Sequence, residues 1–497
     1  MVGLWGQKGL SLNNYAVKHN VMSHKLIDRE SEWGFLEDAF ADKKAQLIVI
    51  YGRRRIGKSI LTSKFVNEKG GMYYLCSKGN EKEQFELLSN KLADHFNDPG
   101  LISRPFTKWQ DLFTYVTQKS KEKRIVLEFD EFPFLITANP AIPSIFQKYW
   151  DELLSSSNVY IVLCGSSIGM MESEVLGYRS PLYGRRTGQW KLMPLRFAHV
   201  MEFFGKGTDI GKMIEIYAIT GGVPFYLANF DLQKSAIENA MRYIAKKGEP
   251  LLEEGEALIR EELPEALTYF SILHAIAKGE TKQNDISNHV GMPPTALTRY
   301  LTNLQRLGFV GKKTPVTETE RSKKSIYFIS DNFINFWFRF IYPNRSYIEE
   351  EDYGKIEVLL KKDFDTYMGR VFEDVCKQAM YELRKKGDVD FDSLGGWWGA
   401  YRDTATNERK TAEIDIVGIK KTENRIVFGE CKWKNKADAA GILSEMKEKT
   451  AFVEWNKQDR KETYVIFAKT FRERKNLGKD VRLFDLEDLR KIFSAAR

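Results

Sequence analysis

Leu47-Ile48-Val49-Ile50-Tyr51-Gly52-Arg53-Arg54-Arg55-Ile56-Gly57-Lys58-Ser59-Ile60 is the stretch from which the fold can be read. Its first five residues are a continuous apolar run, the mark of a strand buried on both faces of a parallel sheet. The next eight satisfy GxxxxGK[ST], and Ile60, Leu61 and Phe65 follow at helical spacing. Strand, glycine loop and helix in that order form a phosphate cradle. The glycines let backbone N–H groups close around a β-phosphate, and the helix N-terminus adds its dipole. Gly52 through Ile60 are therefore the candidate nucleotide-binding residues. Lys58 would reach the β- and γ-oxygens and Ser59 would ligate magnesium, so ATP with Mg2+ is the expected ligand pair.

Working outward, Ile125-Val126-Leu127-Glu128-Phe129-Asp130-Glu131 is a second buried-type strand that ends in acids. Asp130 is placed to hold magnesium through water, and Glu131 to polarise an attacking water. Glu128 is out of place in such a strand and needs a partner or an exposed strand end. A third run, Val159 to Leu163, leads into Cys164-Gly165-Ser166-Ser167. Its hydroxyls would sense a γ-phosphate or only close a turn. Ser180-Pro181-Leu182-Tyr183-Gly184-Arg185-Arg186 offers Arg185 as a transition-state cation. Arg185 would act within the chain or toward a neighbouring copy in a homo-oligomer. A plain surface arginine pair is the other reading. Strands alternating with helical patterns predict an α/β domain with a parallel sheet.

From Leu192 to Leu267 the pattern is helical, and from Tyr269 to Ser330 it reads as a winged helix. Pro294 opens the third helix, Gly308 stops it, and a hairpin wing follows from Lys312. Thr295, Thr298, Arg299 and Gln305 would face a major groove. Lys312, Lys313, Arg321, Lys323 and Lys324 would reach phosphates from the wing. A packing or relay domain that never touches DNA has the same pattern. The acidic run Glu349-Glu350-Glu351-Asp352 suggests a linker.

Further on, Thr411-Ala412-Glu413-Ile414-Asp415-Ile416-Val417 alternates, as does Ile426-Val427-Phe428-Gly429-Glu430-Cys431-Lys432-Trp433. Paired strands would bring Asp415, Glu430 and Lys432 onto one face and turn Cys431 into the core. Two carboxylates can hold a magnesium ion and an ammonium can orient water, which is what phosphodiester hydrolysis requires. A hairpin with a cross-strand salt bridge explains only part of this charge set.

The bulk properties fit several domains. The chain has 497 residues, 43% of them hydrophobic, and a net charge of +8. That length exceeds one core, and the charge permits nucleic-acid contact without requiring it. Cys76, Cys164, Cys376 and Cys431 form no CxxC pair, so neither a disulfide framework nor structural zinc is expected. No apolar run is long enough to span a membrane, and the N-terminus lacks a secretory pattern. A cytoplasmic location follows by default, with Met22 as an alternative start.

Taken together, Ile27-Asp28-Arg29-Glu30, the P-loop, Asp130-Glu131-Phe132-Pro133, Gly165-Ser166-Ser167, Pro181 to Arg185 and Gly221-Gly222-Val223-Pro224 resemble the archaeal-type P-loop ATPases. These are AAA+-related, STAND-like proteins that usually carry a C-terminal DUF234 domain. The resemblance runs from Lys25 onward and implies ATP binding and hydrolysis. Glu128 departs from it, since an apolar residue is usual there. The C-terminal acids resemble the PD-(D/E)xK nuclease signature. That resemblance adds Glu373, in Gly369-Arg370-Val371-Phe372-Glu373, as an acid from a preceding helix, and Gly396-Trp397-Trp398-Gly399 would precede the first strand.

The expected organisation is an N-terminal extension (1–24), a P-loop ATPase core (25–195) and a helical lid (196–264). A winged helix (265–345) and a restriction-endonuclease-like α/β domain (346–497) follow. Three functions compete: an ATP-driven enzyme acting on DNA or RNA, an ATP-dependent switch whose nuclease-like domain is inactive and binds nucleic acid or protein, and an assembly platform. The intact Asp415, Glu430 and Lys432 set favours the first.

Overall fold

The computed structural model describes residues 26–205, 207–319, 321–402 and 408–494. The expected N-terminal extension lies outside the described residues. The chain forms two compact units, one of Met1–Leu195 with Val223–Ala228, the other of Arg196–Gly222 with Asn229–Arg497.

The first unit is built on β1 (Gln46–Tyr51), β2 (Met72–Leu75), β3 (Ile125–Asp130), β4 (Val159–Gly165) and β5 (Gly188–Lys191). All pair in parallel, in the order β2-β3-β4-β1-β5. Every residue of β1, β3 and β4 is buried, which is why their sequences run apolar without alternation. The border strands β2 and β5 are partly exposed and only four residues each, too short for a periodicity to show. Because β4 lies between β1 and β3, its tip separates the Gly52 loop from Asp130. All three open on the carboxyl edge of the sheet, where ligands of open α/β sheets bind. The P-loop helix, Lys58–Glu68, packs on β2, β3 and β4 and buries Leu61, Phe65 and Val66.

The second unit opens with the helices Phe197–Phe204, Ile210–Thr220, Ala236–Tyr243 and Glu254–Glu262. Ala266–Ala277, Gln283–Val290 and Pro294–Arg306 follow, and the antiparallel hairpin β6 (Val310–Lys313) and β7 (Ile326–Ile329) completes a winged helix. The acidic run joins the helix Arg345–Glu349 to a longer one. Asp352 caps the 33-residue helix Tyr353–Lys385 by accepting from Lys355 N at 3.1 Å, so its charge serves a helix start.

That helix lies on a sheet of β8 (Ser393–Arg402), β9 (Arg409–Lys420), β10 (Arg425–Lys432), β11 (Lys461–Ala468) and β12 (Val481–Phe484). The order is β12-β11-β10-β9-β8, antiparallel from β8 to β10 and parallel from β10 to β12. Gly396-Trp397-Trp398-Gly399 precedes the Asp415 strand and lies within a strand of its own, β8, beside a register shift between Gly395 and Trp397. Among the described residues, no helix is long and apolar enough to cross a membrane.

Candidate functional site

In the first unit the P-loop has the backbone its glycines allow. Gly57 sits at φ +95°, and a Cβ on Gly52 would stand 2.6 Å from Leu192 O. Lys58 is buried within the loop, its Nζ donating to Arg53 O at 2.8 Å. The loop is braced from outside by Arg29, just before the helix Glu30–Ala41. This buried guanidinium donates to Ile56 O at 3.1 Å and Met193 O at 3.0 Å and pairs with Glu32 at 3.3 Å. In the sequence Arg29 stands only as one member of a motif set.

At the tip of β3, the Tyr73 hydroxyl donates to Asp130 Oδ2 at 2.6 Å, and Glu131 N donates to Asp130 Oδ1 at 2.9 Å. Two donors thus aim a carboxylate that could serve magnesium, on the same sheet edge as the loop that presents Ser59. Glu131 has a left-handed backbone, φ +52°, and its Oε2 accepts from Ser166 Oγ at 2.8 Å and Ser166 N at 3.3 Å. The tips of β3 and β4 are therefore tied through the Glu131 carboxylate. Arg185 is at the surface on Asp151, with N–O distances of 3.0 and 3.3 Å, and this ion pair is not with an acid of the strand tips.

Glu128 finds its partner on the helix that covers the sheet. Thr62 Oγ1, on the P-loop helix, donates to one carboxyl oxygen, and the other is buried without a partner. Burial first, then the charge of Asp130, pushes the Glu128 pKa well above the ordinary carboxylate value. A neutral acid is what such a position tolerates. Cys164 stands close to Glu128 and Asp130, and burial raises its thiol in the same way. A protonated thiol beside a protonated acid is a poor cation site.

The second unit gathers Glu373, Asp415, Glu430 and Lys432. Asp415 Oδ2, on β9, accepts from Cys431 N at 2.8 Å. On β10, Glu430 Oε1 accepts from Lys432 Nζ at 2.7 Å and from Lys449 Nζ at 3.0 Å. Among the described residues, Glu430 Oε2 is buried with no hydrogen-bond partner. Burial and then the charge of Glu430 raise the Asp415 pKa. Burial and then the charge of Asp415 raise that of Glu373, on the long helix. Lys377 Nζ stands 3.7 Å from Glu373. Burial works against the Lys432 ammonium, but Glu430 outweighs it and holds its pKa above the ordinary value. An orphaned carboxylate oxygen among crowded acids suits a hard divalent cation, so Asp415 and Glu430 could hold one, with Glu373 beside them. Cys431 is buried with Cys376 on the other face of β10. Lys449, from the helix Ala439–Thr450, has no motif to announce it.

On the winged helix, Thr295, Thr298, Arg299 and Gln305 are exposed on the third helix, Arg299 pairing loosely with Glu265 at 3.5 Å. Lys312, Arg321, Lys323 and Lys324 are exposed as well. Lys313 departs from the expectation of a free wing: its Nζ stands 3.8 Å from Asp374 Oδ1, on the long helix.

Residues 26–230 match a family model described as an ATPase domain predominantly from Archaea. An uncharacterized protein of Methanocaldococcus jannaschii is 35% identical over 475 residues, which is 93% of this chain and 99% of that protein. The chain belongs to this archaeal ATPase family. Residues 337–449 match DUF234, described as archaeal and bacterial proteins of unknown function, and residues 269–313 match an IclR helix-turn-helix domain. An uncharacterized ATP-binding protein of the same organism is 46% identical over 44 residues, 9% of this chain and 75% of that protein. The fold of a Walker-type ATPase of Pyrococcus abyssi is similar at TM-score 0.50 and 22% identity, over 63% of this chain and 96% of that one. This member of the archaeal ATPase family is thus an ATP-binding ATPase carrying a winged helix and a DUF234 region.

Proposed function

We propose that the protein is a magnesium-dependent ATPase whose nucleotide site governs a metal-dependent phosphodiester site in the C-terminal region, acting on DNA or RNA. In the nucleotide site Lys58 binds the β- and γ-oxygens and Ser59 and Asp130 hold magnesium. Glu131 takes the proton of the attacking water, freed for this when Ser166 releases it. Magnesium, when bound, offsets the phosphate charge. Arg185 serves as a transition-state cation only after leaving Asp151.

In the C-terminal site Asp415 and Glu430 are the metal ligands, Glu373 adds an acid, and Lys432 orients the water. A divalent metal there would offset charge on the scissile phosphate. Water forms a new P–O bond as the bond to the leaving sugar oxygen breaks. The observation that carries this reading is Glu430 Oε2, a buried carboxylate oxygen beside Asp415 without a donor among the described residues. The test is incubation of DNA and RNA with the protein and Mg2+ or Mn2+. Cleavage that Asp415→Ala abolishes supports the site. Equal background in wild type and variant contradicts it.

A second reading has its own observation. Lys432 and Lys449 both occupy Glu430 Oε1 and already neutralise much of the site. An inactive site used only for binding, in an ATP-dependent switch, would look the same. It predicts nucleic-acid or protein binding without any cleavage.

A further inference from the structure

The wing is docked on the C-terminal carboxylate region. Val316 N donates to Gly396 O at 3.0 Å, and Trp398 Nε1 donates to Lys324 O at 2.9 Å, so one main-chain bond and one indole bond tie the wing to β8. Phe328 of β7 lies under two cations, Lys313 at 4.3 Å and Arg370 of the long helix at 4.8 Å from the ring centroid. Arg370 packs on Phe328 beside the charges of Asp374 and Glu373, and one of its buried terminal nitrogens has no hydrogen-bond partner among the described residues.

Lys313 is held more loosely. It stands 3.8 Å from Asp374 Oδ1, beyond hydrogen-bonding distance, and its side chain keeps 24% of its exposure. Lys377, one helical turn from Glu373, is also beyond hydrogen-bonding distance of its acid, at 3.7 Å. Both ammonium groups therefore keep donors for an incoming anion, next to acids that crowd Asp415. Burial lowers the Lys313 pKa and Asp374 opposes this only in part, as for a cation lacking a full counter-charge.

We propose that Lys313 belongs to the C-terminal site, where with Lys377 it binds a backbone phosphate of the strand that crosses Asp415 and Glu430. The wing is then a wall of the phosphodiester site and not a separate DNA probe. Phe328 and Arg370 hold that wall in place. This rests on the phosphodiester reading above, because a strand must cross the carboxylates for Lys313 to meet it.

The test uses the full chain with Ca2+ in place of the catalytic metal, and short DNA and RNA oligonucleotides followed by fluorescence anisotropy over a salt series. Mn2+ binding is measured separately by calorimetry. Lys313→Gln should weaken oligonucleotide binding on the order of tenfold and lower the salt slope by about one phosphate contact. Lys313→Arg should restore both, and Mn2+ binding should be the same in all three proteins. The DNA and RNA arms tell which strand is preferred. Unchanged affinity and slope in Lys313→Gln, or binding that depends on Arg299 instead, overturns the assignment while leaving the metal site standing. Wild type that binds Mn2+ but no strand overturns it too. Wild type that binds neither overturns the phosphodiester reading along with it.

Discussion

Glu131 holds a left-handed backbone that costs a non-glycine residue about 1–3 kcal/mol, and its carboxylate is gripped by Ser166. Such a residue persists when its position is required. Glu131→Gln should keep ATP affinity within a few fold and lower turnover on the order of a hundredfold or more; calorimetry and phosphate release measure the two, and normal turnover would move the base elsewhere. Lys58→Ala should remove nucleotide binding altogether, and retained affinity would exclude the P-loop as the site. Glu128 gives a prediction in pH. Its folded-state pKa is raised above the unfolded value, so its contribution to stability is complete in acid and is lost as pH rises toward the folded pKa. Glu128→Gln should therefore gain on wild type as pH rises through that window, in denaturant midpoints; parallel curves would mean that Glu128 is not held neutral. Lys58 and Asp130 are legible in the sequence because a loop motif and a strand end mark them. Arg29, Tyr73 and Lys449 are not, since each reaches its site through tertiary contacts that leave no local spacing.

Elements that carry a full pattern can be read from the sequence, and those at borders cannot. β1, β3 and β4 are buried throughout, so their apolar runs are unmistakable; β2 and β5, with mixed exposure, offer nothing to a periodicity argument. β9 alternates in burial only as far as Asp415, and β10 is buried from Ile426 to Cys431, so the alternation read from the sequence accounts for Glu430 beside Lys432 but not for the place of Asp415. The acidic run before the long helix both connects two helices and caps the second, because capping and linking call for the same polar residues. Asp352→Ala should lower stability by about 1 kcal/mol through the lost cap. Equal denaturant midpoints would show that the helix start is held by its neighbours alone. The docking of the wing cannot be read from the sequence, because the acceptors on both sides, Gly396 O and Lys324 O, are main-chain oxygens that any residue supplies and no local spacing pairs them with Val316 and Trp398.

At the scale of the whole molecule, the P-loop unit and the carboxylate site lie in separate compact units of one chain. An ATPase so built gains a purpose when nucleotide state changes what the other unit does to its substrate. The most direct measurement of that proposal is strand cleavage by the full chain with Mn2+, followed with and without ATP, beside Asp415→Ala and Glu131→Gln. The expected result is cleavage absent in Asp415→Ala and altered several-fold by ATP, with Glu131→Gln fixed at the ATP-bound level. Cleavage equal in wild type and Asp415→Ala, or no cleavage from any of them, would contradict it.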